Sequence, residues 1–287
     1  MAGSREIKQR IKSAKNISKI TKAMEMVSAS KMRRSQDQAH SSRPYAHSLK
    51  EVLQKISMRT DPQLHPLLEE KETGFPLLVV VSTDRGLCGS LNAQLFRSSS
   101  HWLAEHPDAQ LLIIGKKARS FARIIGKTIY AEFAGMPDKV AYSDTLAVSA
   151  LLTKGFLDNE FSSVHVVYMQ SITTLTQQPI TFQLLPISPL DIQDPAELVE
   201  STSEYMFEPT PKDILNWLLP YYIENSIYFA LLEAKASEHS ARMISMKNAS
   251  DNAKEIVNDL NLEYNQKRQA HITQELQEIT TAQLTLS

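Results

Sequence analysis

The placement of glycine and proline constrains this chain more than any motif does. No glycine lies between Gly3 and Gly74 and none follows Gly155, while no proline precedes Pro44 and none follows Pro220. These residues break helices, one through backbone freedom and the other through a missing N–H, so their absence at both ends predicts two long helices. In the first, Ile7, Ile11, Ala14, Ile17, Ile20, Met24 and Val27 recur at steps of three and four, an apolar stripe that needs a partner helix. Pro44 marks a kink or an end, after which Tyr45 to Met58 resumes a helical pattern. Towards the C-terminus Met246, Ala249, Ala253, Ile256 and Leu260 repeat the spacing, and Ile272, Leu276 and Ile279 continue it. Nothing from Tyr221 onward obliges the helix to stop, so at about 1.5 Å per residue it reaches on the order of 100 Å. A middle domain of about 130 residues has a radius of gyration near 14 Å. The expectation is therefore an antiparallel coiled coil on a globular base.

The texture of the middle is different. Short apolar runs at Leu77–Val81, Leu111–Ile114, Val164–Met169 and Ile180–Leu185 are separated by helical patterns such as Leu91–Ala104 and Leu146–Leu157. Strands alternating with helices imply βαβ units and a mostly parallel sheet. The fold class read from the sequence is α/β: a long antiparallel coiled coil of the N- and C-terminal helices plus a central Rossmann-like domain. Its expected parts are a helix over 1–58, a linker over 59–73, the α/β domain over 74–206 and a second coiled-coil helix over 207–287.

One loop carries a possible chemistry. Ser82 to Ser90 (Ser-Thr-Asp-Arg-Gly-Leu-Cys-Gly-Ser) follows the first strand and opens a helix, where a phosphate-binding loop sits in nucleotide enzymes. It lacks both the lysine of a P-loop and the three-glycine dinucleotide spacing, so a tight turn with Asp84 and Arg85 bonded to loop backbone is the stronger reading. Cys88 is the single cysteine of the 287 residues. That excludes an internal disulfide and a multi-cysteine metal site, and fits a reducing compartment. With no histidine or second cysteine near it in sequence, it reads as a passive thiol. Neither His40 with His47 nor His101 with His106 has the spacing of a zinc helix. No cofactor and no metal is expected.

The net charge is −1, yet residues 1–34 hold ten basic side chains against Glu6 and Glu25, a local +8. This strip seeks negative charge. Before Tyr45 there is no aromatic residue to stack on bases, so a protein with acidic loops is at least as good a partner as nucleic acid. The N-terminal residues show no export or import signal. The most apolar window, Ile214–Leu232, is interrupted by Pro220, Glu224 and Asn225, so no segment is expected to cross a membrane.

Taken in order, ITKAMEMVSASKMRRSQ (20–36), SRPY (42–45), STDRGLCGSLN (82–92), ARMISMKNASDNA (241–253) and YNQKRQAHITQE (264–275) resemble the gamma subunit of F-type ATP synthase, bacterial type, and together these stretches run along nearly the whole chain. The resemblance implies a non-catalytic central-stalk rotor that couples proton or sodium flow through a membrane ring to ATP synthesis by an alpha/beta catalytic ring. It implies a single copy per complex, on the cytoplasmic face of the bacterial inner membrane, with alpha, beta and epsilon subunits and a proteolipid ring as partners and no nucleic acid. It also implies contacts to beta subunits by Lys19, Lys22, Met24 and Lys31 on one helix and by Arg242, Arg268, Gln269, Thr273 and Glu275 on the other. Tyr205, Phe207 and Glu208 match the foot that meets the proteolipid ring. The chain departs from the family pattern in its last residues, Thr280 to Ser287, which are larger than the small Gly/Ala-rich end usual there. Two other functions compete with the rotor: a nucleotide-dependent enzyme built on the α/β domain, and a basic coiled-coil adaptor for nucleic acid.

Overall fold

Both glycine-poor ends form single helices in a computed structural model that describes residues 2–57, 65–187 and 211–286. Helix α1 spans Ala2–Ser57 and α5 spans Pro211–Leu286. Pro44 and Pro220 lie inside these helices and end neither. In the turns before Pro44, Ser41 and Ser42 donate to the Gln38 carbonyl at 3.0 and 2.9 Å. By its contacts the chain divides into two units, Met1–Ser28 with Arg242–Ser287, and Ala29–Ala241.

In the first unit the two helices pair antiparallel, Ser18 meeting Ser250 while Arg10 lies near Glu263. The buried seam differs from the apolar stripe expected. Ile7, Ile11 and Ala14 are buried, but the burial then passes through Ser18 and Ser28, while Ile17, Ile20 and Val27 are 54%, 60% and 54% exposed. The positions 7, 11, 14, 18, 21, 25 and 28 follow the 3.5-residue repeat of a coiled coil, which holds one face against the partner. The apolar residues at 17, 20, 24 and 27 sit one position aside. On α5 the seam likewise runs through Met246, Ser250 and Ala253, leaving Ile256 about half exposed, as are Ile272, Leu276 and Ile279.

The second unit is built on a five-stranded sheet of order β3-β2-β1-β4-β5. Strands β1 (Phe75–Val81), β2 (Gln110–Ile114), β3 (Ile129–Phe133) and β4 (Phe161–Ser171) are parallel, and β5 (Gln177–Leu185) returns antiparallel to β4. Because β1 is covered on both faces it reads as an unbroken apolar run. Leu78 and Val80 pack under α2 (Leu91–Glu105) and α3 (Lys116–Ile125). Leu77, Val79 and Val81 face α4 (Leu146–Leu157) together with Leu49 and Leu53 of α1 and Leu215 to Leu232 of α5. Two elements were not legible in the sequence. Helix α3, Lys-Lys-Ala-Arg-Ser-Phe-Ala-Arg-Ile-Ile, buries only Ala118, Phe121 and Ala122 between Gly115 and Gly126, and β3 is a five-residue edge strand with no fully buried residue.

Candidate functional site

The loop Ser82–Ser90 leaves the C-terminal end of β1, beside the point where the strand order reverses between β1 and β4. Open α/β sheets bind ligands at that point. Here the space is filled by the chain itself. Ser82 Oγ lies 3.1 Å from the carbonyls of Ile114 and Gly115 and accepts from Ala118 N at 3.0 Å. Asp84 Oδ1 accepts from Lys116 N at 3.1 Å and Gly135 N at 3.3 Å, so its carboxylate takes the N-terminus of α3, where an anionic ligand would otherwise gain from the helix dipole. Thr83 Oγ1 donates to the Arg85 carbonyl at 2.8 Å and accepts from Asn92 Nδ2 at 2.8 Å. The remaining cavity, closed by Leu231, Ala234, Lys235 and Glu238 of α5, measures about 20 Å³, room for one water molecule. A nucleotide does not fit; the loop is a turn, but Asp84 bonds to α3 and Gly135 rather than to the loop's own backbone as expected. Cys88 is buried at 2% exposure with Asn92 Nδ2 3.4 Å from its sulfur, a passive thiol. Among the described residues no group of histidine, cysteine, aspartate and glutamate is placed to hold a metal ion.

On α1, Arg5, Lys8, Lys12, Lys15, Lys19 and Lys22 follow one another at steps of 3-4-3-4-3 and are all exposed. The five lysines each lie one position beyond the buried seam and Arg5 continues their spacing, so the six form a row along the outside of the pair. Lys22 is paired with Glu25 at 3.0 Å, whereas Lys8, Lys12, Lys15 and Lys19 make no ion pair among the described residues. On the other side of the seam runs the apolar row Ile17, Ile20, Met24 and Val27. The first unit thus carries a basic track and an apolar track on opposite flanks of the seam. Reading every apolar residue as core hid this, and the serines at heptad positions 18 and 28 were the signal that would have shown it.

The residues matched to beta contacts fall into three places. Lys19, Lys22 and the half-buried Met24 share two turns of α1. Arg268, Gln269, Thr273 and Glu275 share two turns of α5 and are all exposed; Thr273 Oγ1 donates to the Gln269 carbonyl at 3.0 Å and Glu275 lies 3.4 Å from His271. The antiparallel pairing sets these two groups at different levels, because residue 18 is level with residue 250. Lys31 and Arg242 are held within the chain: Lys31 Nζ reaches Asp138 Oδ2 at 2.6 Å, and Arg242 is buried at 9% exposure. Tyr205, Phe207 and Glu208 lie outside the described residues. No helix among the described residues is long and apolar enough to cross a membrane.

A sheet with a plugged ligand crevice, joined to a helix pair with two outward-facing tracks, defines a protein that works by contact. Residues 3–286 match the sequence model of the ATP synthase family, and the chain belongs to that family. It is 40% identical over 282 residues to the ATP synthase gamma chain of Dehalococcoides mccartyi, covering 97% of each chain. The gamma chain of Histophilus somni is also 40% identical, over 97% of this chain and 98% of that one. Among solved structures, a chain of the Euglena gracilis mitochondrial ATP synthase shares the fold with a TM-score of 0.69 at 19% identity, over 99% of this chain and 95% of that one. A chain from the Tetrahymena thermophila mitochondrial central stalk and c-ring gives 0.61 at 24% identity, over 80% of this chain and 99% of that one.

Proposed function

We infer that the chain is the rotating gamma-type subunit of an ATP synthase, a non-catalytic shaft that couples ion flow through a membrane ring to the nucleotide sites of an alpha/beta ring. The observation that carries this is identity of 40% to curated gamma chains over 97% of the sequence. The filled crevice at the C-terminal ends of β1 and β4 supports it against a nucleotide-dependent enzyme sited at the Ser82 loop, since the cavity left there has room for one water molecule. Coupling then rests on differential contact. A rotor shifts a catalytic subunit between conformations only by as much as its contacts favour one over the other, and an asymmetric shaft favours a different subunit at each orientation.

The contact positions are assigned to Lys19, Lys22 and Met24 on α1 and to Arg268, Gln269, Thr273 and Glu275 on α5, with beta subunits as the partner. A basic track suits acidic loops on that partner. Lys31 and Arg242, engaged within the chain, are assigned to holding the helices that carry those contacts. Tyr205, Phe207 and Glu208 are assigned to the proteolipid ring, and epsilon to the neighbourhood of the α/β unit. The location proposed is the cytoplasmic face of the bacterial inner membrane. Reconstitution tests the whole reading: the purified chain should hydrolyse no ATP, and adding it to alpha and beta subunits should raise their turnover. ATPase activity of the chain alone, or no effect on the assembled ring, would overturn it.

A further inference from the structure

Between β3 and α4, the five residues Asp138 to Tyr142 bond to both long helices at successive levels. Asp138 Oδ2 accepts from Lys31 of α1 at 2.6 Å while its Oδ1 lies 3.7 Å from Nε2 of the buried His239 of α5. Two residues on, the Val140 carbonyl accepts from Gln38 Nε2 at 2.7 Å, and the same amide donates to Tyr228 Oη of α5 at 2.8 Å. At the far end Tyr142 donates from its hydroxyl to the Glu224 carboxylate and sets its ring against Tyr228 and Tyr221, with centroids 5.8 and 6.2 Å apart. Lys31 and Gln38 are seven residues apart, two turns on one face of α1. The partners on α5 descend, 239, 228, 224, as the segment ascends, so the strap runs along the helix pair rather than touching it at one spot.

Apolar packing holds helices against a sheet without specifying their rotation, because it has no direction. Hydrogen bonds and ion pairs are directional and do specify it. We propose that Asp138–Tyr142 is a strap that fixes the rotational position of α1 and α5 against the sheet, with Asp138 as its positioning residue, so that torque passes between sheet and helices without slip. This rests on the rotor reading. Exposed ion pairs add little to net stability, and the Lys31 and Asp138 side chains are 38% and 52% exposed, so removing the pair costs the whole chain little while it releases a directional contact between the strap and α1.

The test uses the assembled ATP synthase and the isolated full chain together. In complexes rebuilt with Asp138→Asn or Lys31→Gln, ions pumped per ATP hydrolysed should fall at least twofold while hydrolysis stays within twofold of the unsubstituted chain. The exchange Lys31→Asp with Asp138→Lys should recover most of the loss. In the isolated chain, Asp138→Asn should speed amide hydrogen exchange over residues 134–142 about tenfold. An unchanged pumping ratio in both single variants, a proportional fall of pumping and hydrolysis that the exchange does not rescue, or unaltered exchange over 134–142 would each overturn the strap. If the unsubstituted chain fails to restore pumping to complexes lacking this subunit, the rotor reading fails instead, and hydrogen exchange still judges the strap.

Discussion

Ser18 and Ser250 exchange hydrogen bonds across the helix pair: Ser18 Oγ donates to the Ser250 carbonyl at 3.4 Å and Ser250 Oγ donates to the Ser18 carbonyl at 3.3 Å. A serine reaches the backbone of a neighbouring helix only where the two axes come close. The seam is therefore narrow here, and the size of the residue matters more than its polarity.

Ser250→Ala and Ser250→Leu separate the two effects. Alanine keeps the close approach and loses one long hydrogen bond, at a cost of about 1 kcal/mol or less. Leucine is the better hydrophobe, but it overpacks a site that is 1% exposed and should cost about 1–3 kcal/mol. Thermal melts followed by helical circular dichroism should place the leucine variant below the alanine variant. The reverse order would mean that the seam has room and that polarity sets the spacing.

How much was legible follows from that seam. The helices are readable because glycine and proline are scarce, and β1, β2 and β4 because strands covered on both faces are written in nearly continuous apolar residues; β5 shows only through the apolar residues of Ile180–Leu185, of which Leu184 and Leu185 are buried. The path of the seam is not legible, because apolar residues are not all buried: Ile17, Ile20 and Val27 face outward while Ser18, Ser28 and Ser250 face inward. Helix α3 and strand β3 were hidden for the opposite reason, since edge and surface elements bury too few side chains to impose a period. The loop at Ser82 is legible as a turn, but the partners of Asp84 are not, since Lys116 and Gly135 are distant in sequence. Its interlock with Gly115 and α3 was invisible, because Ser82 and Ala118 are joined only by the fold. The same holds for the strap: nothing at Asp138 in the sequence points to Lys31, 107 positions away.

At Gly155, α4 lies directly against Phe161 of β4. A Cβ there would lie 2.3 Å from Cε2 of Phe161. That ring is fully buried and wedged edge-on between Phe75 and Tyr130, with centroids 5.4 and 5.0 Å apart, so it has nowhere to turn. Alanine in place of a helical glycine ordinarily gains about 1 kcal/mol. Overpacking at this site should cost about 1–3 kcal/mol and outweigh that gain. Gly155→Ala should lower the urea midpoint of the α/β unit; a raised midpoint would show that Phe161 yields.

His165 on β4 makes the stability of that unit sensitive to acid. Burial first, and the neighbouring His106 second, depress its pKa from 6.5 to about 4, and its Nδ1 has no hydrogen-bond partner among the described residues. Trp102 packs against the ring at 4.9 Å. The folded chain holds this imidazole neutral while the unfolded chain protonates it near pH 6.5. Its contribution is therefore complete above pH 6.5 and is lost as pH falls towards 4, with a ceiling of about 3 kcal/mol. His165→Phe should flatten the pH dependence of the urea midpoint between pH 6.5 and 4. An unchanged slope would place the acid sensitivity elsewhere.

Asp84 gives the last test, because it decides whether the loop after β1 is architecture or a site. Its carboxylate accepts from the first turn of α3 and from Gly135 N. If that is its task, Asp84→Ala leaves two backbone donors unpaired and should cost about 1–2 kcal/mol. Asp84→Asn keeps an acceptor oxygen and loses only the attraction of a negative charge to the helix N-terminus, about 0.3–1 kcal/mol. The expected order of urea midpoints is wild type, then asparagine, then alanine. Titration calorimetry with ATP and ADP should give no heat of binding for any of the three, since removing one carboxylate does not open a crevice that α5 fills with Leu231, Ala234, Lys235 and Glu238. Nucleotide binding that appears in the alanine variant would show instead that Asp84 guards a working phosphate site.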